Sequence, residues 1–306
     1  MARLFLTGGA GFIGSAFLKQ ALADGHDVMV YDNLSFGQRG FAAVGDDRFV
    51  TGDILDGSLL RASIGAFAPD IVVHLAAIHF IPYCNEHPFL SSNINVIGTH
   101  RVLQAAGGTP SVRKVFFAST AAVYPAMAGA LSEDVAAGPT DIYGLSKFAG
   151  EQLCTAFHLE TGVPTVIGRF FNAFGPNETN PHLIPAITEQ LQAGARVLQL
   201  GNTATWRDFI HTSDIAAGVR ALLQHDADGC EIFNVGSGRE YTAMDVVDAF
   251  AKALGKPIEV SADPAITRAS DRPHLLADVT KLMTATGWAP TISLQEGVCA
   301  MVSEWQ

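Results

Sequence analysis

The stretch RLFLTGGAGFIGS, residues 3–15, decides how the rest of the chain is read. Its first half is a short apolar run suited to a buried strand, and its second half sets Gly8, Gly9, Gly11 and Gly14 ahead of a helix-forming segment. Glycines let the chain turn tightly and let a bulky anion reach the backbone, and the N–H groups at the start of the next helix then face negative charge. A glycine-rich turn alone is weak evidence, because such turns occur in many unrelated loops. Here strand, turn, helix, second strand (DVMVYD, 27–32) and terminal acid follow in order.

Outward from that unit, DIVVHLAA (70–77), KVFFAST (114–120) and TVIGRFFN (165–172) read as further buried strands, with GSAFLKQALADG and NVIGTHRVLQAAGG as helical stretches between strands. The alternation predicts an α/β fold: a Rossmann-type doubly wound parallel sheet with helices on both faces. After Phe171 the segments shorten and turn residues multiply, in GPNETNP, LGNTATWRDF and RASDRPH. That divides the chain into residues 1–171, the sheet domain, and 172–306, mainly a smaller lobe over the mouth of the sheet. CEIFNVGSG (230–238) looks like one more strand of the main sheet, so the segment near 209–237 is expected to return to it.

Asp32 closes the second strand about 20 residues past the turn, where a carboxylate accepts hydrogen bonds from a ribose diol and repels a 2′-phosphate; NAD is favoured over NADP. Asp53, in TGDILD, is readable either as a group facing the adenine or as a turn and helix cap.

Composition narrows the partners. Nineteen Lys and Arg against thirty Asp and Glu give a net charge of −11, which argues against nonspecific binding to nucleic acid or an anionic membrane. No run of about 18 apolar residues is present, so no membrane span is expected. The N-terminal apolar run is too short for a signal peptide, and Cys84, Cys154, Cys230 and Cys299 lack metal-ligand or CxxC spacing. A cytoplasmic protein with reduced thiols is the expectation, and no metal is called for.

YGLSK (143–147) places Tyr143 and Lys147 four residues apart, on one helical face. A tyrosine ionises near pH 10, so it is a poor base at neutral pH unless a nearby ammonium favours the phenolate. Taken alone the pair is a solvated helix face as readily as a catalytic device. The balance shifts with AST (118–120) at the end of a parallel strand, where such sheets place ligands, because Thr120 can hydrogen-bond a substrate oxygen while Tyr143 handles the proton.

With these motifs in order (TGGAGFIG, YDNLS, GDI, HLAA, NVIGT, STAAVY, YGLSK, RFFNAFGP, WRDFIHTSD, FNVGSG and RASD…LLADVTK…TGW) the chain resembles, over essentially its whole length, the nucleotide-sugar epimerase/dehydratase branch of the extended short-chain dehydrogenase/reductase superfamily, and is UDP-glucose 4-epimerase-like. The resemblance implies tightly held NAD, a Thr120–Tyr143–Lys147 catalytic set, and a nucleoside-diphosphate sugar under the C-terminal lobe. It implies cofactor contacts from Gly8, Gly11, Phe12, Ile13, Gly14, Asp32, Asn33, Ser35, Asp53, Ile54, Leu75, Ala76, Ala77, Tyr143, Lys147 and Phe171. Substrate contacts are implied for His79, Thr120, Tyr143, Asn172, Arg207 and Arg268, the arginines suiting a diphosphate through paired, charge-assisted bonds. A homodimer joined through helices near 88–106 and 142–160 is also implied.

In the dehydrating branch the two residues after the catalytic threonine carry acids; here they are Ala121 and Ala122, which move no protons. Epimerisation at C4 of a UDP-sugar through a 4-keto sugar is therefore the leading expectation, with a UDP-uronate decarboxylase or another epimerase or ketoreductase of the branch as alternatives. A non-catalytic NAD-binding scaffold is disfavoured by the intact tyrosine and lysine. The loop IHFIPYCNEHP (78–88) departs from the serine- or lysine-containing loop of common 4-epimerases. His79 and Tyr83 there either read an unusual hexose group or pack the loop. NETNPHLIP (177–185) is a second segment expected to shape the pocket, His182 being read as a loop residue, and Leu275 takes the position that limits room at the sugar C2.

Overall fold

The computed structural model describes residues 1–263 and 272–305. The strands are β1 (Arg3–Thr7), β2 (Asp27–Asp32), β3 (Phe49–Thr51), β4 (Ile71–His74), β5 (Lys114–Thr120), β6 (Ala130–Leu131), β7 (Thr165–Phe170), β8 (Asn172–Phe174), β9 (Val197–Leu200), β10 (Trp206–His211), β11 (Cys230–Val235), β12 (Glu240–Thr242), β13 (Glu259–Ala262) and β14 (Leu276–Ala277). The helices are α1 (Phe12–Ala23), α2 (Gly57–Phe67), α3 (Ile81–Glu86), α4 (Pro88–Ser92), α5 (Thr99–Gly107), α6 (Ile142–Thr161), α7 (Leu183–Gln192), α8 (Thr212–Gln224), α9 (Ala243–Leu254), α10 (Thr280–Thr286) and α11 (Leu294–Ser303).

Seven strands form one parallel sheet in the order β3-β2-β1-β4-β5-β7-β11. Because alternate residues of a strand point to opposite faces, Phe116 and Phe117 of β5 enter different cores. Phe116 joins Phe17 of α1 and Val219 of α8 on one face. Phe117 joins Leu60 of α2, Val102 of α5 and Phe157 of α6 on the other. Strand order reverses between β1 and β4, and in doubly wound sheets the crevice at the carboxyl ends there takes the ligand.

Between Phe170 and Asn172 the chain leaves this sheet for a second one, ordered β12-β10-β8. Helices α7, α9 and α11 enclose a separate core beside it, with Ile187, Phe250 and Val298 at its centre.

Helix α6, which carries the Tyr-Lys pair, starts where the Asp141 carboxylate accepts the Gly144 N–H at 2.8 Å and ends at Gly162, whose φ of 71° gives a left-handed cap. The stretch NVIGTHRVLQAAGG departs from a single regular helix: Asn93–Gly98 winds as a π-helix before α5 begins. Within that wide turn the buried Asn95 amide grips Ile78 N–H and C=O and donates to Ser146 Oγ, tying the 78–88 loop to α6.

Candidate active site

A cavity of about 810 Å³ opens at the carboxyl ends of β1, β4 and β5 and runs under the second sheet. Gly8, Gly11, Phe12, Ile13 and Gly14 form one end of its wall. A Cβ at Gly8, whose φ is +76°, would lie 2.6 Å from the Ala76 nitrogen, and one at Gly14 would lie 2.0 Å from the Gly8 oxygen. Neither position admits a side chain. Helix α1 begins at Gly11 with no side-chain cap and no acid in its first turn, which leaves its unpaired N–H groups to an anion.

Asp32 lines the same end, its carboxylate accepting Ala10 N–H at 3.0 Å and Leu34 N–H at 2.9 Å. Burial pushes its pKa up, and the two N–H groups oppose that shift. Asn33 is in the wall; Asp53 stands behind it, accepting the Asn33 amide at 2.9 Å and Leu55 N–H at 2.8 Å. Ser35, Asp53 and Ile54 are not part of the wall itself: Ser35 N–H donates to Asn33 Oδ1, and Ile54 packs over Gly98. Leu75, Ala76 and Ala77, which follow β4, do line the cavity. A glycine cradle, an uncapped helix N-terminus and a buried acid at the second strand fit a dinucleotide's pyrophosphate and adenosine ribose.

At the other end Thr120, Tyr143 and Lys147 converge on the cavity. Burial raises the Tyr143 pKa, a hydrogen bond with the Thr120 hydroxyl opposes the shift, and Cys84 and Asp141 add to it. From sequence the ammonium together with an oxidised nicotinamide is expected to favour the phenolate; in the protein alone burial dominates and the phenol keeps its proton. Lys147 is 2% exposed, its Nζ sits 4.3 Å from the Phe117 ring centre, and burial brings its pKa down to about 8 against weaker opposition from Cys154, Glu151 and Cys84. His74, between Thr7 Oγ1 at 2.7 Å and Thr99 Oγ1 at 3.0 Å, is held neutral: burial first, then Lys147, bring its pKa down to about 3.

Ala121 and Ala122 follow Thr120 in the wall, and their carbonyls accept from the Arg272 guanidinium at 3.2 and 3.0 Å. Arg272 also lines the cavity, and sequence reasoning passed over it. Its only sequence signal is its place in RASDR, four residues after Arg268. Phe171, Asn172, Arg207 and Leu275 complete this end; Asn172 Oδ1 is buried with no hydrogen-bond partner, an acceptor awaiting a donor. Arg207 donates to the Arg272 carbonyl at 2.7 Å. Arg268 lies outside the described residues.

The loop residues separate. His79 lines the cavity, whereas Tyr83 packs edge-on to Phe36 and against His87 outside the wall. His182 and Glu178 from the segment after β8 line the cavity facing His79, and Glu178 is a second site residue that sequence reasoning missed. Burial favours a protonated Glu178, but His79, the Asn180 N–H and His182 outweigh it and hold the pKa below the ordinary value. Asn177 and Thr179 anchor that segment across the cofactor end by donating to Ser15 Oγ at 3.2 Å and Phe36 C=O at 3.0 Å.

Residues 4–236 match the NAD dependent epimerase/dehydratase family. The chain is 32% identical to a UDP-glucose 4-epimerase of Mycolicibacterium smegmatis, over 98% of this chain and 97% of that protein. It is 30% identical to a dTDP-glucose 4,6-dehydratase of Xanthomonas campestris pv. campestris, over 100% of this chain and 93% of that one. The UDP-glucose 4-epimerase of Thermus thermophilus, solved in complex with NAD, superposes with a TM-score of 0.89 at 30% identity, covering 99% of this chain and 98% of that structure. A family match over residues 4–236 and relatives 30–32% identical across nearly the whole chain show that it belongs to the NAD-dependent epimerase/dehydratase family of enzymes.

Proposed function

We propose that this enzyme inverts C4 of a nucleoside-diphosphate hexose, a UDP-sugar, through a transient 4-keto sugar. The observation that carries the reading is that the cavity presents one hydroxyl pair for proton transfer, Tyr143 with Thr120, and follows it with the methyl groups of Ala121 and Ala122. Such a site handles the proton on O4 and supplies no acid there for elimination between C5 and C6.

The cofactor is NAD, held by the glycine turn and Asp32, and when bound it would supply reversible hydride transfer at C4. Tyr143 Oη takes the O4 proton during oxidation and gives it back during reduction, while the Thr120 hydroxyl steadies the same oxygen. The Lys147 ammonium binds the nicotinamide ribose and draws the Tyr143 pKa down once the site is filled. Gly8, Gly11, Phe12, Ile13 and Gly14 seat the pyrophosphate; Asp32 and Asn33 hold the adenosine ribose, with Asp53 fixing Asn33 and with Ser35 and Ile54 shaping that loop. Leu75, Ala76, Ala77 and Phe171 flank the nicotinamide end. Asn172, Arg207 and Arg268 bind the sugar nucleotide, with His79 facing the hexose. Residues 1–171, with the returning segment 209–237, thus serve the cofactor, and the rest of 172–306 serves the substrate.

A second substrate reading rests on Arg272, a cation held at the catalytic end by backbone carbonyls, which suits a C6 carboxylate and hence a UDP-hexuronate. We also propose a homodimer: Phe89, Ile97, Leu145 and Leu159 leave apolar side chains exposed along α4, the π-turn and α6.

The test is NMR of the purified protein, without added cofactor, with UDP-glucose, UDP-galactose, their N-acetyl forms and UDP-glucuronate. Interconversion of one C4 pair is expected, and Tyr143→Phe should slow it by about 10²–10⁴-fold with fold and NAD occupancy kept. Release of carbon dioxide from the uronate would instead assign the decarboxylase, and near-normal turnover in Tyr143→Phe would defeat the mechanism.

A further inference from the structure

In the wall of the cavity, where the loop after β4 meets the segment after β8, two imidazoles and a carboxylate face one another. The Glu178 side chain is 6% exposed. Its Oε1 is occupied, accepting Asn180 N–H at 2.9 Å and the Asn180 amide at 3.3 Å. Its Oε2 points instead toward His79 Nε2, 3.8 Å away, too far for a hydrogen bond.

The state of His79 follows from Asn180. Because a carboxylate only accepts, the amide atom touching Glu178 is the NH₂ nitrogen, and that same nitrogen lies 3.2 Å from His79 Nε2. Nε2 is therefore an unprotonated acceptor, the form a metal ligand needs, with its lone pair taken here by the Asn180 amide that a bound ion would displace. His182 stands alongside, its ring centre 5.8 Å from that of His79 with 23° between the planes, and is braced edge-on by Phe80 at 5.2 Å. Rings in face contact sit closer, whereas two imidazoles on one tetrahedral ion, with metal–nitrogen bonds of about 2 Å, have centres about 5 Å apart and donors about 3.4 Å apart. The three donor atoms here all lie within 4.8 Å of one another, and among the described residues no other group of histidine, cysteine or acidic side chains does so. A single ion needs these donors closer together, so binding would include a turn of the His79 side chain, which is 35% exposed.

We propose that His79, Glu178 and His182 form a binding site for one divalent transition-metal ion of the zinc class, with its open coordination positions facing the cavity. Two nitrogens and one carboxylate suit zinc, cobalt or ferrous iron rather than calcium or magnesium, which prefer all-oxygen cages. The buried carboxylate supplies charge neutralisation, and Asn180 fixes it through Oε1, which leaves Oε2 toward the cluster; the Asn180 contact with His79 Nε2 would give way to the ion, since that nitrogen has one lone pair. The site stands independently of the C4-epimerase reading, because its readouts involve no turnover.

The experiment takes tag-free, full-length protein, strips it with EDTA, and titrates it with Zn²⁺ by calorimetry and with Co²⁺ by visible absorption. One equivalent should bind with a Kd in about the micromolar range or tighter, giving cobalt bands of a low-coordinate nitrogen-containing site. Glu178→Gln and His182→Asn should each weaken binding by about 100-fold or more while circular dichroism stays unchanged. Binding that is equally tight in both variants places the metal elsewhere and overturns the proposal, as does the lack of any stoichiometric binding by the native protein. Zinc-edge X-ray absorption on the native protein decides the case if a variant misfolds. Scattering from two imidazoles supports the site, and a shell of oxygens alone refutes it.

Discussion

Lys147→Met asks what the protein sacrifices to keep an ammonium at the floor of its cavity. Burial brings the Lys147 pKa from the ordinary 10.5 down to about 8. At about 1.4 kcal/mol per pH unit, the folded state carries a cost of about 3 kcal/mol for holding that charge. Methionine keeps most of the volume and removes the charge, and it forfeits the contact with the Phe117 face, worth about 1–2 kcal/mol in a desolvated setting. The variant, freed of cofactor, should therefore be more stable at pH 7 by about 1–2 kcal/mol and inactive. The sign with pH follows from linkage. The folded pKa lies below the unfolded one, so below pH 8 both states hold the proton and the cost is fully present; between about 8 and 10.5 the folded state releases its proton and the cost fades. Equilibrium urea unfolding at pH 7 and pH 9.5 measures it. The native protein should gain on the variant as pH rises. A variant less stable than the native protein at both values, or an advantage that does not shrink with pH, refutes the reasoning.

Gly14→Ala should strip the protein of NAD, measured as cofactor released on denaturation, since the new Cβ would meet the Gly8 oxygen at 2.0 Å; Gly65→Ala on α2, with nothing within 4 Å of its Cβ, is the control and should gain about 0.5–1 kcal/mol. Glu151→Ala should cost about 3–5 kcal/mol in thermal or urea unfolding, because it strands a guanidinium, with Arg169 only 4% exposed; Glu151→Leu combined with Arg169→Met should recover most of that loss. Ala122→Glu should yield no 4-keto-6-deoxy product by NMR, because Arg272, already bonded to the Ala121 and Ala122 carbonyls, is placed to pair with the new carboxylate and keep it ionised.

Most of the main sheet was legible because its signals are local. Five of its strands announce themselves as apolar runs, and the buried strands of a parallel sheet have no wet face to interrupt such a run. The run TVIGRFFN misleads in one respect. It is continuous in sequence but divides in space, Phe170 ending β7 in the first sheet and Asn172 starting β8 in the second, and the apolar run through Phe170 and Phe171 does not mark the crossing. The π-turn was invisible for a related reason, since it depends on Asn95 reaching Ile78 and Ser146 rather than on any periodicity of its own.

The site follows the same division. Gly8, Gly14, Asp32 and the Tyr143–Lys147 pair were readable because each is fixed by its own strand end or helix turn, so spacing along the chain translates directly into position. Glu178 and Arg272 were not, because their meaning comes from partners far along the chain: Asn180, beside Glu178, meets His79, and Arg272 meets Ala121 and Ala122. Each pairing joins the first half of the chain to a segment from its second half. The first half carries the Thr120–Tyr143–Lys147 set and the glycine cradle on strand ends and helix turns. The later segments bring Arg272 on one side and Glu178 with His182, facing His79 of the first half, on the other; on the proposed reading these groups meet the sugar. A chain can thus keep the chemistry of its family legible in its motifs while its choice of substrate is written in loop residues whose contacts exist only once the fold has closed.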